Sequence, residues 1–326
     1  MKSFSIRNHP MIRLSGRFDS AQEGFPMLWS ASSAEMNVRG SSLEVQIDCA
    51  YRTHKPYLSF EVDGLRAQTF APLPGKHWYS VFLHLKPDAV HTVRILKESQ
   101  AFENDPSAGC VLLKGRTDGV LEPLPPRRRK IEFIGDSFTT GYANSPELSY
   151  SKSFCAQNSD NYNSYTGFVA REFDTDYNVT AYEGKGVYVN SDGSTDYTMT
   201  DLFDCADVYV GNTDLNMSTR TKWDYGKFVP QLVTVFLGEN DMYGSKKVEN
   251  VETGFAQKYA VLLDKIRTAY PNAKVLCIAR EKGGYPESVR QAVTDRGGEN
   301  NGFYYLEIKN FSASSMGHPT VDEDRK

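Results

Sequence analysis

The sequence predicts two successive units of different class: an all-β antiparallel sandwich over residues 1–125, then a parallel, doubly wound α/β domain over residues 126–326. Three observations carry this. Short runs with a period of two fill the first part. In the second, apolar strand-like runs alternate with helical stripes. A proline-rich stretch ending at Arg129 separates the two.

In the first part, Leu43, Val45 and Ile47 alternate with Glu44, Gln46 and Asp48, the pattern of a half-buried strand. Tyr57 to Val62 runs into Asp63-Gly64, a hairpin signal. Trp78 to Leu85 and His91 to Lys97 read as further strands, parted by the turn Lys86-Pro87-Asp88. Short strands with regular turns and no helical stripe make a sandwich.

In the second part, Ile131 to Ile134 is a short buried strand leading into Gly135-Asp136-Ser137. Leu232 to Leu237 is another, ending at Gly238. Phe255, Tyr259, Leu262, Leu263, Ile266 and Tyr270 mark one face of a long helix that Pro271-Asn272 stops. Val275 to Ala279 is the next strand. Pro286 opens a shorter helix, and Tyr304 to Ile308 is the last strand. Strands alternating with helices build a parallel sheet, whose site lies at the strands' carboxyl ends.

Composition narrows the function classes. The formal net charge is −4, from 37 basic and 41 acidic residues, so no broad surface attracts nucleic acid or anionic lipid. The basic run Arg127-Arg128-Arg129-Lys130 follows three prolines and reads as a solvated linker face. Aromatic residues reach 12%, a surplus that suits a sugar site as well as an aromatic-rich core. The five cysteines (Cys49, Cys110, Cys155, Cys205, Cys277) are odd in number and form no CxxC pair. That argues against a disulfide framework or a structural zinc site and favours a reducing compartment. The first ten residues contain no apolar run of a signal peptide, and no stretch approaches the ~20 apolar residues that span a bilayer. The expectation is therefore a cytoplasmic protein, or a secreted one if a leader has been removed.

Four pieces carry chemistry. The strand entering Gly135-Asp136-Ser137 presents a serine hydroxyl at a tight turn, clear of the sheet, with backbone N–H groups beside it. Glu183-Gly184-Lys185-Gly186 allows close backbone approach to a ligand and lacks the third glycine of a dinucleotide fingerprint. Gly238-Glu239-Asn240-Asp241 follows a strand, where an asparagine amide can be aimed at a developing oxyanion, although Asn-Asp is also ordinary turn chemistry. Of six histidines, His318 alone lies in the α/β half, in a loop before Pro319, so it is the base available to a serine there. Ser137 has no glycine two residues later, so it is not the nucleophile elbow of α/β-hydrolases. No pattern for a metal or nucleotide cofactor is present.

In this order, Gly135-Asp136-Ser137, Gly184, Gly238 to Asp241 and His318-Pro319 resemble the blocks of SGNH (GDSL-type) hydrolases. Gly16-Arg17-Phe18, Val62-Asp63-Gly64, Gly184 to Tyr188 and Trp223-Asp224-Tyr225 extend the likeness to the second family of carbohydrate esterases, over nearly the whole chain. The resemblance implies a jelly-roll N-terminal domain, and an enzyme that removes O-acetyl groups from sugars or xylan- and mannan-type oligosaccharides without a cofactor. It makes Ser137 the nucleophile and His318 the base. The N–H groups of Ser137 and Gly184 and the Asn240 side chain then form the oxyanion hole, and Tyr188 and Asp136 contact substrate. Three departures stand out. Ser315 occupies the place of the usual acid three residues before the histidine, which implies a Ser-His dyad; Asp322 or Asp324 substitutes only if the tail folds back. Gly317 replaces a frequent tryptophan, and the sequence stops at Lys326 where the family continues into a final helix. The polar stretch from Asn190 to Thr221 reads as an insertion that forms a lid or a partner contact.

Two other readings compete. One is a general GDSL lipase or thioesterase, disfavoured by the lack of an amphipathic membrane-facing helix. The other is a non-catalytic carbohydrate-binding protein on a hydrolase scaffold. The partner expected is an acetylated carbohydrate, with no nucleic acid and no membrane. The sandwich either shapes the cleft or holds a homo-oligomer together.

Overall fold

The computed structural model of the chain describes residues 1–19, 23–52, 54–100, 109–145, 158–206, 221–309 and 317–326. Eleven described strands precede the boundary region: β1 (Lys2–Ser5), β2 (Ile12–Ser15), β3 (Phe25–Met27), β4 (Ser33–Arg39), β5 (Leu43–Ala50), β6 (Leu58–Val62), β7 (Leu65–Phe70), β8 (Gly75–Phe82), β9 (Val90–Lys97), β10 (Gly109–Thr117) and β11 (Val120–Glu122). They form two antiparallel sheets. One runs β1-β10-β5-β8 with β3 also on β10, and the other β11-β4-β9-β6-β7 with β2 also on β4. Alternate residues of both, among them Met36, Val38, Val45, Ile47, Phe60, Val93, Ile95 and Leu112, meet in one core. Asp63 (φ 52°) and Gly64 (φ 80°) both take the left-handed region, as a two-residue hairpin with the strands' own twist requires.

The second half contains β12 (Arg129–Gly135), α1 (Ser137–Thr140), α2 (Tyr165–Glu172), β13 (Thr175–Ala181), α3 (Met199–Leu202), β14 (Leu232–Phe236), α4 (Glu239–Gly244), α5 (Val251–Ala269), β15 (Lys274–Arg280), α6 (Pro286–Asp295), β16 (Phe303–Ile308) and α7 (Val321–Asp324). Its strands are all parallel, in the order β13-β12-β14-β15-β16. The chain steps from β12 outward to β13, then crosses back to β14 on the other side of β12. Loops leaving the carboxyl ends of β12 and β14 therefore part at this switch point and leave a crevice. The apolar stripe of α5, with α6, covers Ile134, Val233, Val235, Val275 and Cys277, while α2 contributes to the opposite face with Phe133, Tyr177 and Val179. The predicted fold class, a sandwich followed by a parallel α/β domain, is the observed one.

Three details differ from the sequence reading. Strand β13 was not anticipated. Its sequence Thr-Asp-Tyr-Asn-Val-Thr-Ala is polar, yet every residue is buried, and Asp176, Asn178 and Thr180 each have a partner near the junction with the sandwich. The Asn178 side-chain Oδ1 accepts from the Gly16 N–H at 2.7 Å, and the Thr180 hydroxyl donates to Glu132 at 2.7 Å. The basic run is not a solvated linker face throughout. Arg127 is clasped by Glu35, Asp174 and Asp176, and Arg129 and Lys130 begin β12. The described part of the Asn190–Thr221 stretch is not all lid either, since Met199, Leu202 and Phe203 are fully buried in the hydrolase-side core. Residues 207–220 of that stretch lie outside the described residues. Cys49 and Cys110 face each other across β5 and β10 as free thiols with sulfurs 3.6 Å apart, and Cys155 lies outside the described residues.

The two halves are joined by buried polar contacts. Arg17, from the sandwich side, is 1% exposed and its Nε donates to Glu132 of β12 at 3.0 Å. Glu132 also accepts from the Tyr270 hydroxyl at 2.6 Å. The Trp29 indole donates to the Ala206 carbonyl at 3.1 Å, inside the hydrolase-side core.

Candidate active site

The site grows from the ends of β12 and β14. Gly135 ends β12 where a side chain has no room: a Cβ there would lie 1.9 Å from the Thr139 hydroxyl oxygen. Asp136 then caps α1, its Oδ1 accepting from the Phe138 N–H at 3.1 Å. This turn places Ser137 at the first helical position. Its hydroxyl oxygen lies 2.8 Å from His318 Nε2, across 181 residues of sequence. The Phe138 and Tyr142 rings meet the His318 ring edge-on, with centroids 5.5 and 5.2 Å away.

Gly184 follows β13 with φ 76°, in the left-handed region where glycine is favoured. Its carbonyl accepts from the Ser191 N–H at 2.9 Å. Among the described residues, the backbone N–H groups of Ser137 and Gly184 donate to no protein acceptor. The loop beyond Gly184 is fixed by Asp241, 0% exposed, which accepts from the N–H groups of Val187, Tyr188 and Val189 at 2.8, 2.7 and 2.9 Å. Burial pushes this carboxyl above its ordinary range, against the pull of the three donors. Tyr188 is half-buried, and its ring covers Gly254 of α5 so closely that a Cβ there would lie 2.2 Å from it.

Gly238, at φ 123°, starts the block after β14, and a Cβ there would sit 2.5 Å from the Gly284 carbonyl. Asn240 follows. Its amide donates to Asp136 Oδ2 at 3.2 Å and to the Lys185 carbonyl at 3.0 Å, so in this state both hydrogens have acceptors. Asp136 itself is 1% exposed, and burial pushes its carboxyl well above the ordinary range. Its two oxygens are engaged by the Phe138 N–H and the Asn240 amide.

The tail does fold back: the Val321 N–H donates to the Asn144 carbonyl at 3.1 Å. Yet Asp324 accepts from the Asn144 amide at 3.2 Å. Ser315 lies outside the described residues. The sequence marks Asp241 and Glu239 within the block after β14 but not their partners, and it gives no sign of Asn144 or of Arg280, whose ion pair with Glu239 (Nε to Oε1 2.6 Å) braces the start of α4. Among the described residues no group of three or more His, Cys, Asp or Glu side chains is placed to hold a metal ion. Also among them, no helix is long and apolar enough to cross a membrane.

Comparison with known proteins places this geometry. Residues 133–309 match the family model described as GDSL-like lipase/acylhydrolase, and residues 14–110 match the carbohydrate esterase 2 N-terminal model. The cellulase/esterase CelE of Acetivibrio thermocellus is 30% identical over 274 residues, 83% of this chain but 31% of that protein. The chain thus spans about a third of that relative's length. An acetylxylan esterase / glucomannan deacetylase of Cellvibrio japonicus is 26% identical over 91% of this chain and 81% of that protein. Among solved structures, an acetyl xylan esterase from Butyrivibrio proteoclasticus superposes with TM-score 0.90 at 19% identity, covering 100% of this chain and 95% of that one. A family two carbohydrate esterase from Clostridium thermocellum, in complex with cellohexaose, gives TM-score 0.80 at 26% identity over 96% and 94%.

Proposed function

The chain belongs to the GDSL-like lipase/acylhydrolase family and carries a carbohydrate esterase 2 N-terminal domain, and from that premise we propose that it is a serine esterase removing O-acetyl groups from sugars or xylan- and mannan-type oligosaccharides. The observation that carries the reading is the 2.8 Å contact between His318 Nε2 and the Ser137 hydroxyl at the mouth of the parallel sheet. Relatives described as an acetylxylan esterase / glucomannan deacetylase and as a cellulase/esterase support the substrate class.

Neutral His318 takes the Ser137 proton as the oxygen attacks the acetyl carbonyl. The oxyanion settles against the N–H groups of Ser137 and Gly184. Asn240 joins them by giving up its longer contact, 3.2 Å to Asp136. The buried Asp136 carboxyl favours its neutral form and competes poorly with a full negative charge. Collapse breaks the C–O bond to the sugar, and the departing oxygen receives the proton from His318. Water, deprotonated by the same histidine, then releases acetate from Ser137. The exposed part of Tyr188 offers a ring face to the sugar. Ser137 and His318 act as a dyad, with Asp324 committed to Asn144.

Hydrolysis of 4-nitrophenyl acetate, then of acetylated xylo- and manno-oligosaccharides, tests this. Wild type turns over and Ser137→Ala loses at least ~10³-fold in kcat. Equal turnover in both would reject Ser137 as nucleophile. Sugar binding without turnover would favour the non-catalytic reading.

A further inference from the structure

His318 lies in the stretch after β16, 181 residues beyond the serine it must serve. The only described element of that stretch is α7, four residues long. Its capping box, in which the Thr320 N–H donates to Glu323 at 2.7 Å, closes one turn. A single turn is far below the length at which a helix holds by itself. The ring contacts with Phe138 and Tyr142 are apolar, and such contacts set distance better than orientation. Polar contacts, which fix direction as well as distance, hold the tail as well.

Asn144 is placed to do so. It lies seven positions after Ser137 and is 1% exposed. The segment between them is tied back to the nucleophile, the Tyr142 N–H donating to the Ser137 carbonyl at 3.0 Å. Asn144 is locked on the other side too. Its Oδ1 accepts from the Asp160 N–H and its Nδ2 donates to the Asp160 carbonyl, both at 3.0 Å. From this fixed position it grips α7 at both ends. Its carbonyl takes the Val321 N–H at 3.1 Å, and its Nδ2 reaches Asp324 Oδ2 at 3.2 Å. Val321 is three residues beyond His318, so the tail's course is set within one helical turn of the base.

We propose that Asn144 and Asp324 form a polar clamp that positions His318 on Ser137, tying the tail to the nucleophile's own turn. Both are positioning residues, because neither touches the reacting atoms. The inference rests on the esterase reading for its consequence in catalysis, while the clamp is observable without it. A misplacement of about 1 Å in a proton-transfer pair is enough to cost on the order of 10²-fold in rate.

Two readouts test it. The first is steady-state hydrolysis of 4-nitrophenyl acetate. Asp324→Ala should lose on the order of 10²-fold in kcat with KM changed less than about twofold. Asp324→Asn keeps an acceptor for Asn144 and should regain most of the rate. Should Asp324→Ala fold poorly, Val321→Pro removes only the N–H tether at a first helical position, where proline is tolerated; it should lose kcat in the same way. The second readout is the NMR titration of the His318 imidazole, assigned with His318→Gln. In Asp324→Ala it should move to the curve seen in Ser137→Ala, because the histidine no longer meets the serine. Unchanged kcat in both Asp324→Ala and Val321→Pro overturns the proposal, as does an unchanged His318 titration. Equal loss in the Asn and Ala variants overturns it too, since carboxylate charge would then be what matters. A wild type without turnover would sink the esterase reading alone, and the titration would still decide the clamp.

Discussion

Asn240 shows what one side chain is asked to do. At rest its amide is fully engaged, by Lys185 and by Asp136. One hydrogen must pass to the oxyanion, which develops a full charge as the Asp136 contact weakens. An amide that stabilises only the charged state lowers the barrier without tightening substrate binding. Asn240→Ala should therefore cost about 10²- to 10³-fold in kcat at nearly constant KM. A rise in KM with kcat intact would instead make Asn240 a brace for the Gly184 loop. Residues of this kind were legible in the sequence because their types are scarce and their places marked. Only one histidine stands in the α/β half, and Ser137 and Asn240 each follow a strand through a glycine. Asn144 had no such mark. It sits in an unremarkable Tyr-Ala-Asn-Ser run, and its partners Asp160 and Asp324 lie 16 and 180 residues away.

At the scale of elements, regular amphipathic pieces were read well and polar buried ones were not. The α5 stripe Phe255, Tyr259, Leu262, Leu263 and Ile266 is the buried face observed. Strand β13 failed as a pattern because its burial depends on tertiary partners that a local window cannot see. The one-turn α7 is of the same sort, held by contacts rather than by propensity. Its Asp324 gives a pH signature. Burial, foremost, pushes this carboxyl from an ordinary 3.8 up to about 7. Asp160 and Glu323 push the same way, while Asn144 and the Tyr165 N–H pull it down. Arg66 faces Asp160, at 2.6 Å, rather than Asp324. A folded value above the unfolded one means that the native state holds the proton more tightly. The resulting stability is complete below about pH 4 and is lost as pH rises through about 7. The melting temperature should therefore fall between pH 5 and pH 8, and fall less in Asp324→Asn. Glu98, raised to about 7 chiefly by burial, titrates in the same window, so part of the fall should persist. An identical slope in the variant would mean that Asp324 titrates normally.

At the scale of the molecule, the question is why a sandwich and a hydrolase sheet hold one relative placement. Apolar contact alone specifies placement weakly, whereas a buried charge does so strongly, because any other arrangement strands it. Arg17 enters the hydrolase half with its guanidinium over the Phe203 and Trp223 rings, 5.0 and 5.6 Å from their centroids. It meets Glu132, which is 0% exposed and bound as well by Thr180 and Tyr270. Glu132 lies on β12, five residues before Ser137, so the joint and the nucleophile share one strand. Arg17→Met leaves Glu132 buried without its counter-charge and should cost about 3–5 kcal/mol in denaturant unfolding. Arg17→Met with Glu132→Gln removes both charges and should recover part of that loss. If the joint couples the halves, wild type unfolds in one transition and Arg17→Met splits it, with the sandwich and the α/β half melting separately. A single transition in every variant, at unchanged midpoint, would mean that the apolar contact made by Leu28 and Trp29 holds the halves without the ion pair.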